Sequence, residues 1–97
     1  MVPYMFSFSI TINSKWAVIR TGNIDQDTID NYINTGIYEA YFISMPQNTF
    51  EQTWGILIVM APSMNMVREQ IQITVKGIAV RHWENGTWNA WKKVSLS

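Results

Sequence analysis

The stretch that decides the fold is residues 83–94, which read Trp-Glu-Asn-Gly-Thr-Trp-Asn-Ala-Trp-Lys-Lys-Val. Asn85 and Gly86 predict a type I′ turn between two paired strands, because both central residues of that turn need positive φ. Three of the five tryptophans flank the turn: Trp83, Trp88 and Trp91. The stretch therefore predicts a β-ribbon with large aromatic surfaces, which suit a core, a subunit interface or a sugar-binding face.

The turn also predicts a register for this ribbon. A two-residue loop places Trp83 opposite Trp88, and Val80 opposite Trp91. Side chains then alternate between two faces, with Ile78, Val80 and Trp91 on one and Trp83, Trp88 and Ala90 on the other. A change of one residue in the pairing would exchange the two faces.

Further strands are predicted upstream by apolar runs and by alternation of apolar and polar residues. Residues 54–60 are apolar on both faces, which is typical of a central strand covered on two sides. In the strand that follows, Ile71, Ile73 and Val75 are predicted to point inward, and Gln70, Gln72 and Thr74 outward. The predicted strands are 16–20, 37–44, 54–60, 69–75, 78–83 and 87–94, with breaks at 21–23 and 61–63.

One short helix is predicted near residues 25–33. Asp25 can cap its N-terminus, and Asp27 suits the first turn. Ile29 and Tyr32 supply a short apolar stripe, and Gly36 follows the end of the helix. A helix of about two turns needs packing to be stable.

The chain of 97 residues has the length of one domain. Residues 1–15, in which Phe6, Phe8, Ile10 and Ile12 alternate with polar residues, are interpreted as an N-terminal connecting strand or arm. Residues 16–97 are predicted to form a β-rich domain built on a small antiparallel sheet.

Composition excludes several partners and favours one. Seven basic residues balance seven acidic ones, and the only basic doublet is Lys92-Lys93, so no nucleic acid partner is expected. No apolar run reaches the roughly 18–20 residues of a membrane span, so no membrane insertion is expected. Charged residues are only 14% of the chain against 47% hydrophobic ones, which indicates that another subunit covers part of the surface.

No catalytic, metal or cofactor site is predicted. The chain has no cysteine, and His82 is its only histidine. The aspartates at 25, 27 and 30 lack the spacing of a calcium loop, and capping explains the first two. No nucleophile elbow and no glycine-rich phosphate loop is present.

Residues 85–94 resemble the end of the knob domains of bacteriophage and pyocin-type tail fibres, which commonly close with Asn-Gly-x-Trp-x-x-Trp. Asn85, Gly86, Trp88 and Trp91 carry that motif here. Upstream, residues 34–38, 55–59 and 77–81, together with Gln72, are similar to family segments in the same order. The resemblance covers about residues 22–95. It does not extend to residues 3–20, and the 45–53 loop is longer than in the family.

The resemblance implies a small, mostly β knob that acts as a homotrimer at the tip or a joint of a fibre. It implies a non-enzymatic virion component of the tail or baseplate, assembled in the host cytoplasm and active at the bacterial cell surface. Its expected partners are copies of itself, other tail or baseplate proteins and a cell-surface polysaccharide.

Polar and aromatic residues near strand ends are the candidates for ligand binding, because binding loops lie there. They are Gln47, Asn48, Trp54, Arg81 and Trp83. Two other functions remain open. One is a carbohydrate-binding module of a secreted glycan-degrading enzyme, and the other is a structural spacer of a phage baseplate without a ligand.

Overall fold

A computed structural model describes residues 18–63 and 67–95. The predicted arm over residues 1–15 and the beginning of the first predicted strand at Trp16 lie outside these ranges.

The described residues form one sheet of seven strands, and the prediction of a mostly β fold is confirmed. Neighbouring strands follow the order β1-β2-β3-β4-β5-β6, and β7 also pairs with β5. All pairs are antiparallel except β1 with β2, which is parallel. The strands are β1 Val18–Ile24, β2 Gly36–Phe42, β3 Thr53–Ser63, β4 Val67–Thr74, β5 Gly77–Glu84, β6 Thr87–Trp88 and β7 Lys92–Lys93.

The two faces of the sheet differ in what lies over them. Loops 25–35 and 43–52 pack on the covered face, which we define by the inward side chains of Ala40, Phe42, Leu57, Val59 and Ala79. Ile24, Ile29, Met45 and Trp91 complete this core. The opposite side is the open face, defined by Ile37, Ile56, Ile58, Ile71, Ile73, Ile78 and Val80, each only partly buried.

Two strand predictions need correction. Residues 21–23 do not end the first strand but lie within β1, where the register shifts between Arg20 and Gly22. β3 runs on through Pro62. Within residues 18–63 and 67–95 its two sides differ, because Leu57 is fully buried on the covered face and Ile58 is partly buried on the open face.

The short helix predicted near residues 25–33 is present, but it is shorter than the two turns expected. Residues 25–33 contain a single turn of 3-10 helix, Ile29–Asn31. The Asp25 carboxylate accepts hydrogen bonds from the backbone N–H groups of Asp27 at 2.9 Å and Thr28 at 3.1 Å. This bonding is that of an N-cap residue, the role predicted for Asp25.

The predicted inward and outward sides of β4 are reversed. Gln70 and Gln72 are fully buried, whereas Ile71 and Ile73 lie on the open face and Val75 is 95% exposed in the turn to β5. The glutamines point inward because the loops place backbone N–H and C=O groups against the sheet, and these buried groups need hydrogen-bond partners. The Gln72 amide accepts from the Phe50 N–H at 2.9 Å and donates to the Phe50 carbonyl at 2.7 Å. The alternation of apolar and polar residues does not by itself reveal that the loop backbone needs these hydrogen bonds.

The Gln72 amide should therefore be essential to the loop over the covered face. Gln72→Met keeps the side-chain length but leaves both backbone groups of Phe50 without this partner, so we expect a loss of about 2 kcal/mol in unfolding free energy. Urea unfolding measures it, with exposed Gln26→Met as a control expected to change stability by less than about 0.5 kcal/mol. Equal stability of the two variants would contradict the prediction.

The C-terminal ribbon forms as predicted at its turn and differs beyond it. Asn85 and Gly86 have φ of 56° and 85°, and Trp83 pairs with Trp88. Val80, however, pairs with Lys92 and not with Trp91. One extra residue in the C-terminal segment acts as a β-bulge and changes the register. Trp91 consequently lies on the covered face, where it is 4% exposed.

Candidate functional site

Trp54 is the most exposed of the predicted site residues with a large apolar side chain. It lies near the beginning of β3, on the open face, and is 61% exposed. Cross-strand pairing places it opposite Tyr41, and the two rings meet edge to face with centroids 5.3 Å apart and an interplanar angle of 65°. The contact holds the indole in place and leaves much of its surface free for a ligand.

A shallow cleft of about 210 Å³ lies beside this indole. Arg20, Gly22, Glu39 and Trp54 line it. Arg20 and Glu39 form an ion pair across β1 and β2, with Nε and Oε1 3.1 Å apart. Gly22 has φ of 82° and contributes no side chain, so this wall of the cleft stays low.

The chemistry of the cleft suits a small polyhydroxylated ligand. The indole offers a flat apolar surface, on which the C–H face of a sugar ring can stack. The exposed guanidinium and carboxylate offer hydrogen-bond donors and acceptors to hydroxyl groups. Neither group is buried, so both are accessible to the hydroxyl groups of a ligand.

Gln47 and Asn48 do not join Trp54. Both side chains are exposed in the loop over residues 43–52, and Asn48 has φ of 65°. That loop packs on the covered face through Phe50, whereas Trp54 projects from the open face. The sheet therefore separates these candidates.

Arg81 takes part in a network within the fold. Its side chain is 7% exposed, its Nε donates to Gln70 Oε1 at 2.8 Å, and its Nη2 donates to Asp30 Oδ1 at 2.6 Å. The guanidinium carbon lies 3.9 Å from the ring centroid of Trp88 and 4.8 Å from that of Trp91. Burial lowers the pKa of Arg81, and the hydrogen bond and charge of Asp30 oppose this shift.

Trp83 lies on the covered face next to that network, opposite Trp88, and away from Trp54. Its ring supports the Arg68 guanidinium, whose carbon is 4.1 Å from the ring centroid, and the side chain is half-buried. Asn85 and Gly86 form the turn itself. The three tryptophans of the ribbon each contact an arginine and so contribute to packing.

A second cleft lies at the other side of the open face, between β4, β5 and the C-terminal segment. His82 Nε2 and Asn89 Nδ2 are 2.8 Å apart there, and Glu69 and Lys92 border the same cleft. In the two described ranges, no group of three His, Asp or Glu residues is placed to hold a metal ion. None of the helices within those ranges has the length and apolarity to cross a membrane.

The sequence selected Trp54 as a candidate but not its neighbours Arg20, Glu39 and Tyr41. Their proximity depends on the parallel pairing of β1 with β2 and on the antiparallel register of β2 with β3. The one signal for them in the sequence is the spacing of Glu39 and Tyr41 within the predicted strand 37–44, because residues two apart in a strand lie on the same face.

No protein-family model matches this chain, and neither the curated proteins nor the solved structures include a significantly similar one.

Proposed function

We propose that this chain is a non-enzymatic knob domain of a bacteriophage tail fibre or receptor-binding protein. In this role it assembles as a homotrimer, contacts other tail or baseplate proteins and attaches to a polysaccharide of the bacterial cell surface. The observation that carries the attachment is the exposed indole of Trp54 beside the Arg20–Glu39 ion pair. The resemblance over residues 85–94 supports the choice of a tail-fibre component.

Attachment would work through many weak contacts. A sugar ring stacks on Trp54, while Arg20 and Glu39 bind its hydroxyl groups. One shallow cleft gives weak affinity, because it surrounds only part of a sugar. Three copies in one fibre, and several fibres in one particle, raise the effective concentration of the remaining sites once the first is bound.

The tail-fibre motif itself has a structural role in this proposal. Asn85 and Gly86 form the turn, and Trp88 and Trp91 enclose the guanidinium of Arg81. The motif thus attaches the C-terminal segment to the sheet and leaves ligand binding to Trp54 and its neighbours.

The same cleft also favours a second function, a carbohydrate-binding module of a secreted glycan-degrading enzyme. Such a module acts as a monomer beside a catalytic domain, whereas a fibre knob acts as an assembly. Sedimentation of the chain at micromolar concentration separates the two. A baseplate spacer, by contrast, would assemble and bind no sugar.

The test of the attachment is a glycan array probed with the full chain, followed by calorimetry on the best sugar. Trp54→Ala should weaken binding roughly tenfold, which corresponds to about 1.4 kcal/mol, with stability nearly unchanged because the indole is exposed. Trp54→Tyr should retain part of the affinity, since it keeps a flat ring.

Val75→Ala, in the exposed turn between β4 and β5, is the matched control and should bind like the wild type. An array without any bound glycan would refute the attachment. So would a Trp54→Ala variant with unchanged affinity, because the sugar would then bind elsewhere.

A further inference from the structure

Isoleucines form two continuous rows across the open face. Register pairs Ile37 with Ile58, Ile58 with Ile71, and Ile71 with Val80. A second row pairs Ile56 with Ile73, and Ile73 with Ile78. Among the described residues, neither loop 25–35 nor loop 43–52 covers these rows, since both pack on the other side of the sheet.

The rows are large enough to form the centre of a protein interface. Seven side chains, each occupying about 4.8 Å across the strands and about 7 Å along them, give an apolar patch of roughly 230 Å². A patch of this size lies just below the range of roughly 300–600 Å² for the largest apolar patch on a typical monomer. With a polar rim around it, it approaches the roughly 800 Å² that a standard interface buries on each partner.

Charges of both signs surround the isoleucines. Arg20 and Glu39 lie on one side, and Glu69 and Lys92 on the other. The chain as a whole has no formal net charge. This surface has no excess charge to complement a strongly acidic or basic partner. A second copy of the chain, by contrast, can place its acidic groups opposite basic ones.

We propose that a second copy of this chain covers the open face and that the isoleucine rows are the apolar centre of the subunit interface. This proposal rests on the self-assembly in the proposed function and adds the surface through which it occurs. The 14% content of charged residues agrees with a chain that buries part of its surface between copies. Trp54 lies beyond one end of the isoleucines and Met60 beyond the other, so both belong to the rim.

Sedimentation velocity of the full chain at tens of micromolar tests the proposal. The wild type should sediment as an assembly, and Ile58→Lys or Ile71→Lys should shift it to the monomer, because each puts a charge at the centre of the interface. Ile33→Lys, in the loop before β2 and away from the open face, is the control and should remain assembled. Circular dichroism checks that each variant is folded.

A second measurement leaves the isoleucines intact. The chain has no cysteine, so Met60→Cys introduces a single thiol at the rim and Val75→Cys a single thiol in an exposed turn. The Met60→Cys thiol should react with maleimide several-fold more slowly at high protein concentration than after dilution. The Val75→Cys thiol should react at the same rate at both concentrations.

A wild type that is monomeric at about 100 µM would overturn the inference. Protection of the Met60→Cys thiol that does not change on dilution would also overturn it and would indicate cover by the chain's own residues 1–17. If a monomer still binds glycan through Trp54, the interface is refuted while the attachment stands. If the chain assembles through the isoleucines and binds no glycan, the attachment is refuted while the interface stands.

Discussion

Arg81→Ala is expected to lower the free energy of unfolding by about 3–5 kcal/mol, because it leaves the buried amide oxygen of Gln70 without its hydrogen-bond donor and removes a planar group packed against two indoles. The guanidinium joins three parts of the molecule. It donates to Gln70 on β4, to Asp30 in the 3-10 turn and lies against Trp88 and Trp91 of the C-terminal ribbon. Without it, both the turn and the ribbon lose one of their contacts with the sheet, beside the Gln70 bonds to the turn and the strand pairing of the ribbon.

The loss does not come mainly from the ion pair. Asp30 is 61% exposed, so its carboxylate remains hydrated when Arg81 is absent, and the pair by itself contributes little. The larger effect arises at Gln70, whose buried Oε1 loses its hydrogen-bond donor. The two indoles lose a planar group between them, which adds a packing defect.

Two substitutions separate these causes. Arg81→Lys keeps the positive charge but has no Nε–H and no flat surface, so it should be destabilising by more than 1 kcal/mol. Asp30→Asn removes only the opposing charge and should cost about 1 kcal/mol or less. Urea unfolding at neutral pH measures all three variants.

Arg68→Ala is the matched control, because Arg68 also lies on an indole, that of Trp83, but at a more exposed position. It should cost about 0.5–1 kcal/mol. If Arg81→Ala cost no more than Arg68→Ala, the guanidinium would not be holding the ribbon and the 3-10 turn on the sheet.

The strands and the C-terminal turn could be predicted from sequence because their signals are local. Asn85-Gly86 specifies its turn through two residues, and the apolar runs mark β2 to β5. The orientation of β4 could not be predicted in this way. Alternation shows that Gln70, Gln72 and the isoleucines lie on opposite sides, but not which side the loops cover. The answer depends on the backbone groups of Phe50 and Ile29, which are 22 and 41 residues away from their glutamine partners.

The candidate site shows the same limit. Trp54 was found because an indole next to a glycine at a strand start is visible in the sequence. Glu39 lies near it through the pairing of β2 with β3, and Arg20 through the pairing of β1 with β2, in which Arg20 is opposite Glu39 just before the register shift. Residues far apart in the chain cannot be assigned to one cleft before the register is known. Arg81 was selected as a polar residue at a strand, and its four partners come from three other segments.

Gly55→Ala is expected to cost about 3 kcal/mol, at the upper end of the range for overpacking, although alanine is a better residue than glycine in most strands. A Cβ at this position would lie 2.3 Å from the Ile73 carbonyl oxygen and 2.7 Å from Cγ2 of Thr74. The first contact is with backbone, which a rotamer change cannot relieve. β3 and β4 would have to move apart where Gly55 pairs with Thr74.

Gly36→Ala is the matched control on β2, because the atoms nearest to its added Cβ belong to the outer end of the Tyr38 side chain, with the hydroxyl at 2.9 Å, and a small shift of that side chain relieves the contact without moving a strand. It should cost about 1 kcal/mol or less. Thermal and urea unfolding of both variants measure the difference. Similar stabilities would show that β3 and β4 can adjust at Gly55 without loss.

The Gly55 substitution also couples stability to the candidate site. Trp54 and Ile56 flank Gly55, so a displacement of β3 at this point moves both the indole of the cleft and the beginning of an isoleucine row. We therefore expect Gly55→Ala to weaken glycan binding and self-association together, whereas Trp54→Ala affects only the first and Ile58→Lys chiefly the second. If a Gly55→Ala variant is destabilised but still binds glycan and self-associates like the wild type, β4 moves to accommodate the new methyl group and β3, with Trp54, stays in place.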